Sequence, residues 1–163
     1  MLTTVAVLII VLGLMVSLAR YVRRRSAEDL TRRILVNLHL AMTEYRREHG
    51  RPALTSPVDS EATLDESTLL AAAEGENRRI VQFFNADKAL SAKAFRDLPL
   101  TVYDHATIRD AWGMPIVYMP TMHRQIGQSP GEWFFFSAGP DRQYLTRVDN
   151  QYSYEALEVP AGK

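Results

Sequence analysis

A chain of 163 residues has room for one domain and a terminal appendage, and 47% apolar with 23% charged residues is the make-up of a globular protein, not a disordered or collagen-like one. The absence of cysteine excludes a disulfide framework, a thiolate zinc site and a cysteine nucleophile. The formal net charge of zero averages two unlike parts: residues 20 to 51 hold nine arginines against four acids, and the rest carries the compensating negative excess.

Leu2 to Ala19 contains no charged residue, and its polar content is limited to Thr3, Thr4 and Ser17. As a helix these 18 residues reach roughly 27 Å, enough for a bilayer core of about 30 Å. A buried core helix would carry a polar stripe, and the run from Val5 to Val16 has none. The expectation is therefore a membrane anchor over residues 1 to 19. Ser17-Leu18-Ala19 would suit a signal peptidase, but no Lys or Arg precedes the apolar run, and Arg20, Arg23, Arg24 and Arg25 follow it, where positive charge resists translocation. Retention is favoured over cleavage. No series of aromatic residues alternates with these arginines to stack bases, so the basic stretch suits anionic lipid headgroups and nucleic acid is not expected.

From Ser26 the spacing of Leu30, Ile34, Leu38, Met42 and Tyr45, widened by Leu35 and Ala41, predicts an amphipathic helix over residues 20 to 50. Ser26 and Asp29 resemble a loose capping box, but Arg20 to Arg25 contain no breaker, so the anchor can run straight through until Gly50 and Pro52. Such a rod is too long for one small domain to bury. Residues 51 to 163 are expected to form the head. Arg51 to Ser67 reads as a loop, and Thr68 to Ala94 as one or two short helices. Pro115 to Met119, Glu132 to Ala138 and Tyr152 to Leu157 read as strands, with Gln128 to Gly131 and Gly139-Pro-Asp141 as turns. Trp133-Phe-Phe-Phe136 does not alternate, so its strand should be covered on both faces. The fold class is α+β, a long N-terminal helix packed against a small antiparallel sheet.

Several stretches in this order carry a resemblance: the apolar helix, its continuation to Tyr45-Arg-Arg-Glu-His-Gly-Arg-Pro52, then Asp110-Ala-Trp-Gly-Met-Pro-Ile-Val-Tyr118, Phe134-Phe-Phe-Ser-Ala-Gly-Pro-Asp141 and Asp149-Asn-Gln-Tyr-Ser-Tyr-Glu155. The chain resembles the major pseudopilin of type II secretion and its type IV pilin-like relatives. The resemblance implies a single-pass subunit of the inner (cytoplasmic) membrane with its head outside the cytoplasm. Its partners would be membrane lipid, other pilin-like subunits bundled through the N-terminal helix, and a secretion machinery; it would not be an enzyme. The positive-inside rule applied to Arg20 to Arg25 favours the opposite orientation, a bitopic protein whose cytoplasmic domain binds partners. Pilin-like precursors carry a basic leader, a processing-point Gly and a Glu at the fifth mature position. Met1-Leu-Thr-Thr-Val5 has none of these, so the expectation is a truncated start or a member not processed in that way.

The resemblance also implies calcium in the loop before the last strand, here Pro140 to Gln151, with Asp141, Asp149 and Asn150 offering oxygens and Arg142 and Arg147 opposing a dication. An ordinary turn is the competing reading. Trp112-Gly113 and Pro115 read as packing and a tight turn. His39, His49, His105 and His123 lack metal-ligand spacing, and no phosphate loop or HExxH element occurs. His105 beside Asp104, with Ser137 as nucleophile, is the one arrangement that would suggest a membrane-tethered hydrolase.

Overall fold

The computed structural model describes residues 2–50, 52, 54, 64–127 and 133–158, with side chains from residue 10 onward. A single helix, α1 (Leu2–His49), runs through the boundary between the apolar segment and the arginines, so Ser26 and Asp29 cap nothing. Its 48 residues make a rod of roughly 72 Å. Gly50 ends it at φ 81°, its N–H reaching the Arg46 carbonyl at 3.0 Å, a left-handed closure that suits glycine.

The middle of the chain folds into α2 (Glu66–Asn85) and α3 (Lys88–Ala94). Asp65 caps α2 by accepting the Thr68 N–H at 3.0 Å, and Asp87 caps α3 by accepting from Ala89 at 2.7 Å. At 20 residues α2 is longer than the short helices expected, because Leu69, Ala73, Ile80, Val81 and Phe84 give it a continuous buried stripe. It takes in Glu66 and Ser67 from the predicted loop, most of which lies outside the described residues.

Three short strands, β1 (Val117–Met119), β2 (Phe134–Ser137) and β3 (Gln151–Tyr152), form an antiparallel sheet in the order β1-β2-β3. Tyr118 pairs with Phe135 and Phe136 with Tyr152. The first two predicted strands are present in shortened form; Glu132 and the turn from Gln128 to Gly131 lie outside the described residues. The third is corrected. Strand pairing stops after Tyr152, and Ser153–Glu158 form a helix, α4, as strong helix formers such as Glu155, Ala156 and Leu157 favour. The Ser153 hydroxyl accepts the Phe135 N–H at 3.0 Å, taking the place of the next ladder bond.

Both faces of β2 are covered, which explains its unbroken aromatic run. Phe135 joins Ile34, Leu35, Leu38 and Met42 of α1 and Ile80 and Phe84 of α2. Phe134 and Phe136 face a second cluster with Leu69, Ile126, Tyr144 and Tyr152. The head therefore grips α1 from about Leu30 to Tyr45, a third of its length. Among the described residues no helix is long and apolar enough to cross a membrane, so the membrane-crossing first third is no part of the observed fold.

On α2, two adjacent buried polar residues have opposite fates. Asn77 is saturated: its amide donates to the Ile108 and Ile116 carbonyls at 2.6 and 2.8 Å and accepts from the Ile108 N–H at 2.8 Å. Glu76 has neither carboxylate oxygen hydrogen-bonded, and Arg79 stands 3.7 Å away. Burial pushes the Glu76 carboxyl above its ordinary value, with Arg79 opposing. The folded state thus keeps this proton to higher pH than the unfolded chain does, so stability falls as pH rises from about 4.5 through the raised value. Urea unfolding followed by tryptophan fluorescence should find Glu76→Gln more stable than the parent at pH 7 by about 1 to 3 kcal/mol, with the difference vanishing below about pH 4.

Candidate functional site

Two features stand apart from ordinary packing: an uncovered helix and a polar knot beside it. From Ile10 to Ser26 every residue of α1 is exposed, including Leu14 at 65%, Met15 at 63% and Leu18 at 63%. At 100° per residue, residues 10, 11, 12, 14, 15, 16 and 18 spread over about two thirds of the circumference, and the remaining sector holds the small residues Gly13 and Ser17. A helix standing in water normally keeps a polar face. Here the only interruptions are Gly13 and Ser17, and the polar residues come further along the axis, at Arg20, Arg23, Arg24 and Arg25.

Below the arginines the head is clamped to α1 by directional contacts. The Thr31 hydroxyl accepts the Ala111 N–H at 3.1 Å. The His39 ring stacks on Trp133 at 4.4 Å, and the Arg46 guanidinium lies 5.3 Å from the same indole. His39 Nδ1 is 3.0 Å from the Ser153 hydroxyl, and burial pushes the imidazole below its ordinary value. Glu44 pairs with Lys93 of α3.

The polar knot is centred on Asp110, which is 1% exposed. One carboxylate oxygen accepts the Trp112 and Met114 N–H groups at 2.9 and 2.8 Å, and the other accepts the Ser137 hydroxyl at 2.6 Å. Ser137 in turn accepts the Gly139 N–H at 3.0 Å. Burial raises the Asp110 carboxyl, and these bonds pull the other way. With Gly113 at φ 90°, the Trp112-Gly113 segment is the tight turn the sequence suggested, held by a buried carboxylate rather than by glycine alone.

Ser137 is therefore not presented as a nucleophile. Its proton goes to Asp110 in the interior, whereas Asp104 and His105 are exposed and the Asp104 carboxylate is taken up by the Ala106 and Thr107 N–H groups. The three residues of the hydrolase reading do not share a site.

The predicted calcium loop is organised mainly by protein groups. Glu66, from the first turn of α2, accepts the Tyr144 and Leu145 N–H groups at 2.6 and 3.1 Å. Asp141 accepts the Gln143 N–H at 2.9 Å, and the Asn150 amide donates to the Tyr144 carbonyl at 2.7 Å. Gly139 lies so close to Asp149 that a Cβ would stand 2.0 Å from its carbonyl oxygen, which closes the loop at its base. One group is left over: Asn150 Oδ1 is buried without a hydrogen-bond partner, as an oxygen facing a cation would be. The fit to calcium is incomplete, because among the described residues no group of three or more His, Cys, Asp or Glu is placed to hold a metal.

Glu66 and Thr31 were not anticipated, and no local pattern marks them, since each acts on a partner 78 to 80 positions away. A polar groove of about 270 Å³ separates stem from head, lined by Arg25, Glu28, Asp29 and Arg32 of α1 opposite Gln151 and Glu155. Compared with known proteins, the chain matches no family model, no curated protein and no solved structure.

The Asp110 knot yields a sharp expectation. Asp110→Ala leaves two part-buried amides and the buried Ser137 hydroxyl without their acceptor and should destabilise the head by about 3 kcal/mol or more in urea unfolding, while Asp141→Ala, which frees one exposed amide, should cost under about 1 kcal/mol.

Proposed function

We propose that the chain is a structural subunit of a type II secretion pseudopilus or a related pilin-like filament, with no catalytic role, serving protein secretion. The observation that carries this reading is the bare stem: an uncharged helix, exposed and apolar over most of its circumference, that continues without a break into the core of its own head. Such a surface requires lipid before assembly and neighbouring helices after it. The order of the sequence elements supports the same reading, as does a small antiparallel sheet gripping one side of the helix. On it the chain crosses the inner membrane once through Leu2 to Ala19, with the head outside the cytoplasm.

The arginines that follow the stem favour a second reading, a bitopic protein whose cytoplasmic head binds partners. The two differ in topology and in stem contacts. Because the chain has no cysteine, a lone Leu14→Cys can be cross-linked cleanly in membranes. The filament reading expects dimers with a thiol cross-linker at Leu14→Cys, none at Leu100→Cys on the head, and a reporter fused after Lys163 that is active only outside the cytoplasm. A reporter active only inside would overturn it in favour of the second.

The same reading assigns calcium to the loop from Pro140 to Gln151, on the strength of the unpartnered Asn150 oxygen. Millimolar calcium should raise the melting temperature of the parent by several degrees and leave Asn150→Ala unmoved; no shift in the parent removes calcium from the account.

A further inference from the structure

The band of arginines at the head end of the stem is only partly accounted for by the fold, in which Arg25 lines the polar groove opposite Gln151 and Glu155. Arg20, Arg23, Arg24 and Arg25 are all exposed, and Arg24 pairs with Glu28 at 2.9 Å, one turn toward the head. Their arrangement differs from that of a helix lying flat on a surface, which separates apolar and basic residues across its width. Here the separation runs along the axis. Ile10 to Leu18 is uncharged and apolar over most of its circumference, with only Gly13 and Ser17 between, and the charges begin only after it ends. A helix built in this way meets an interface end-on.

The dimensions agree. Five steps from Arg20 to Arg25 advance about 7.5 Å, and the headgroup layer on each side of a bilayer is about 5 to 7.5 Å thick. Tyr21, 64% exposed within the band, is the amphipathic aromatic residue that interfaces collect. The basic side chains also share one chemistry: residues 20 to 51 contain nine arginines and no lysine. The planar guanidinium fork engages phosphate oxygens in pairs, which an ammonium does not.

We infer that Arg20, Arg23, Arg24 and Arg25 form a binding band for the phosphate groups of anionic phospholipids, fixing the depth at which the stem sits and selecting the lipids around it. This rests on the stem being in lipid, and the test separates the two. The full-length chain is floated with vesicles of phosphatidylcholine alone and with vesicles in which about a third of the lipid is phosphatidylglycerol, at low salt. Each arginine near a charged surface is worth about fivefold, so the four together should favour the anionic vesicles by on the order of a hundredfold, Arg24 giving least because of Glu28. The variant R20Q/R23Q/R24Q/R25Q, whose substitutions are at exposed helical positions and whose unfolding curve is recorded beside the parent's because Arg25 lines the groove against the head, should bind phosphatidylcholine as the parent does and lose that preference. Salt near 0.5 M should erase it in the parent as well. No binding of the parent to phosphatidylcholine overturns the stem reading. Binding to both compositions with equal affinity, or a preference that survives in the variant, overturns the arginine band alone.

Discussion

The structure depends on a mismatch between one helix and the domain attached to it. A small α+β head can bury about a third of a 48-residue helix, and it does so with the face carrying Ile34, Leu35, Leu38, Ala41 and Met42. The rest of the head is arranged to make that grip. Phe135 and Tyr118 come from the sheet, Ile80 and Phe84 from α2, and Leu90 and Ala94 from α3, all converging on the same stripe. Burial of this kind is non-directional, worth about 25 cal/mol per Å², so it explains the docking but not its register. Register comes from the polar contacts at the edges of the stripe: Thr31 at one end, the His39, Trp133 and Arg46 stack in the middle, and Glu44 with Lys93 beyond.

The sheet is too small to satisfy the backbone of the loops around it. Its strands are three, four and two residues long, so most N–H groups between Ala94 and Ser153 must find acceptors elsewhere. The chain meets this demand with side chains that act as substitute ladders, all buried except the half-buried Glu66. Asp110 serves the turn before β1, Asn77 serves the Ile108 segment, Glu66 serves the loop after β2, and Ser153 closes the end of β2. Each carries a charge or dipole into the interior and is stable there only because its partners are complete. Among the described residues Glu76, His123 Nε2 and Asn150 Oδ1 are the exceptions.

How much of this was legible in the sequence follows from the range of each interaction. The gripping face of α1 was readable because its signal is local and periodic, with Leu30 to Tyr45 recurring every three or four residues. The double-sided burial of β2 was readable from Trp133-Phe-Phe-Phe136 because a strand exposed on one face would alternate. The last element misled because Tyr152 and Tyr154 favour a strand, while what ends β3 is a hydroxyl reaching across to Phe135, a contact 18 residues away. The length of α2 was missed because its alanines and charged residues dilute a stripe that only packing reveals. The Asp110 motif was visible as a pattern, but its partner Ser137 was read as a possible nucleophile, since a sequence does not say which way a hydroxyl's proton points. Glu66 could not have been found at all, because a carboxylate at a helix start looks like ordinary dipole compensation.

The side of α1 that faces away from the head bounds what else the helix needs. Along the gripped segment that outer face carries Arg33, Thr43 and Arg47, interrupted only by half-buried Val36 and by Leu40 at 55% exposure. Water is an adequate neighbour for such a surface, and isolated apolar residues on it need no partner. From Ile10 to Ala19 the same helix carries a single polar side chain, Ser17. The demand for cover therefore ends where the arginines begin, and it is confined to the stem. Because no kink or breaker separates stem from grip, whatever fixes the depth and direction of the stem fixes those of the head as well, through a rod whose bending is limited to the gentle curvature of an unbroken helix.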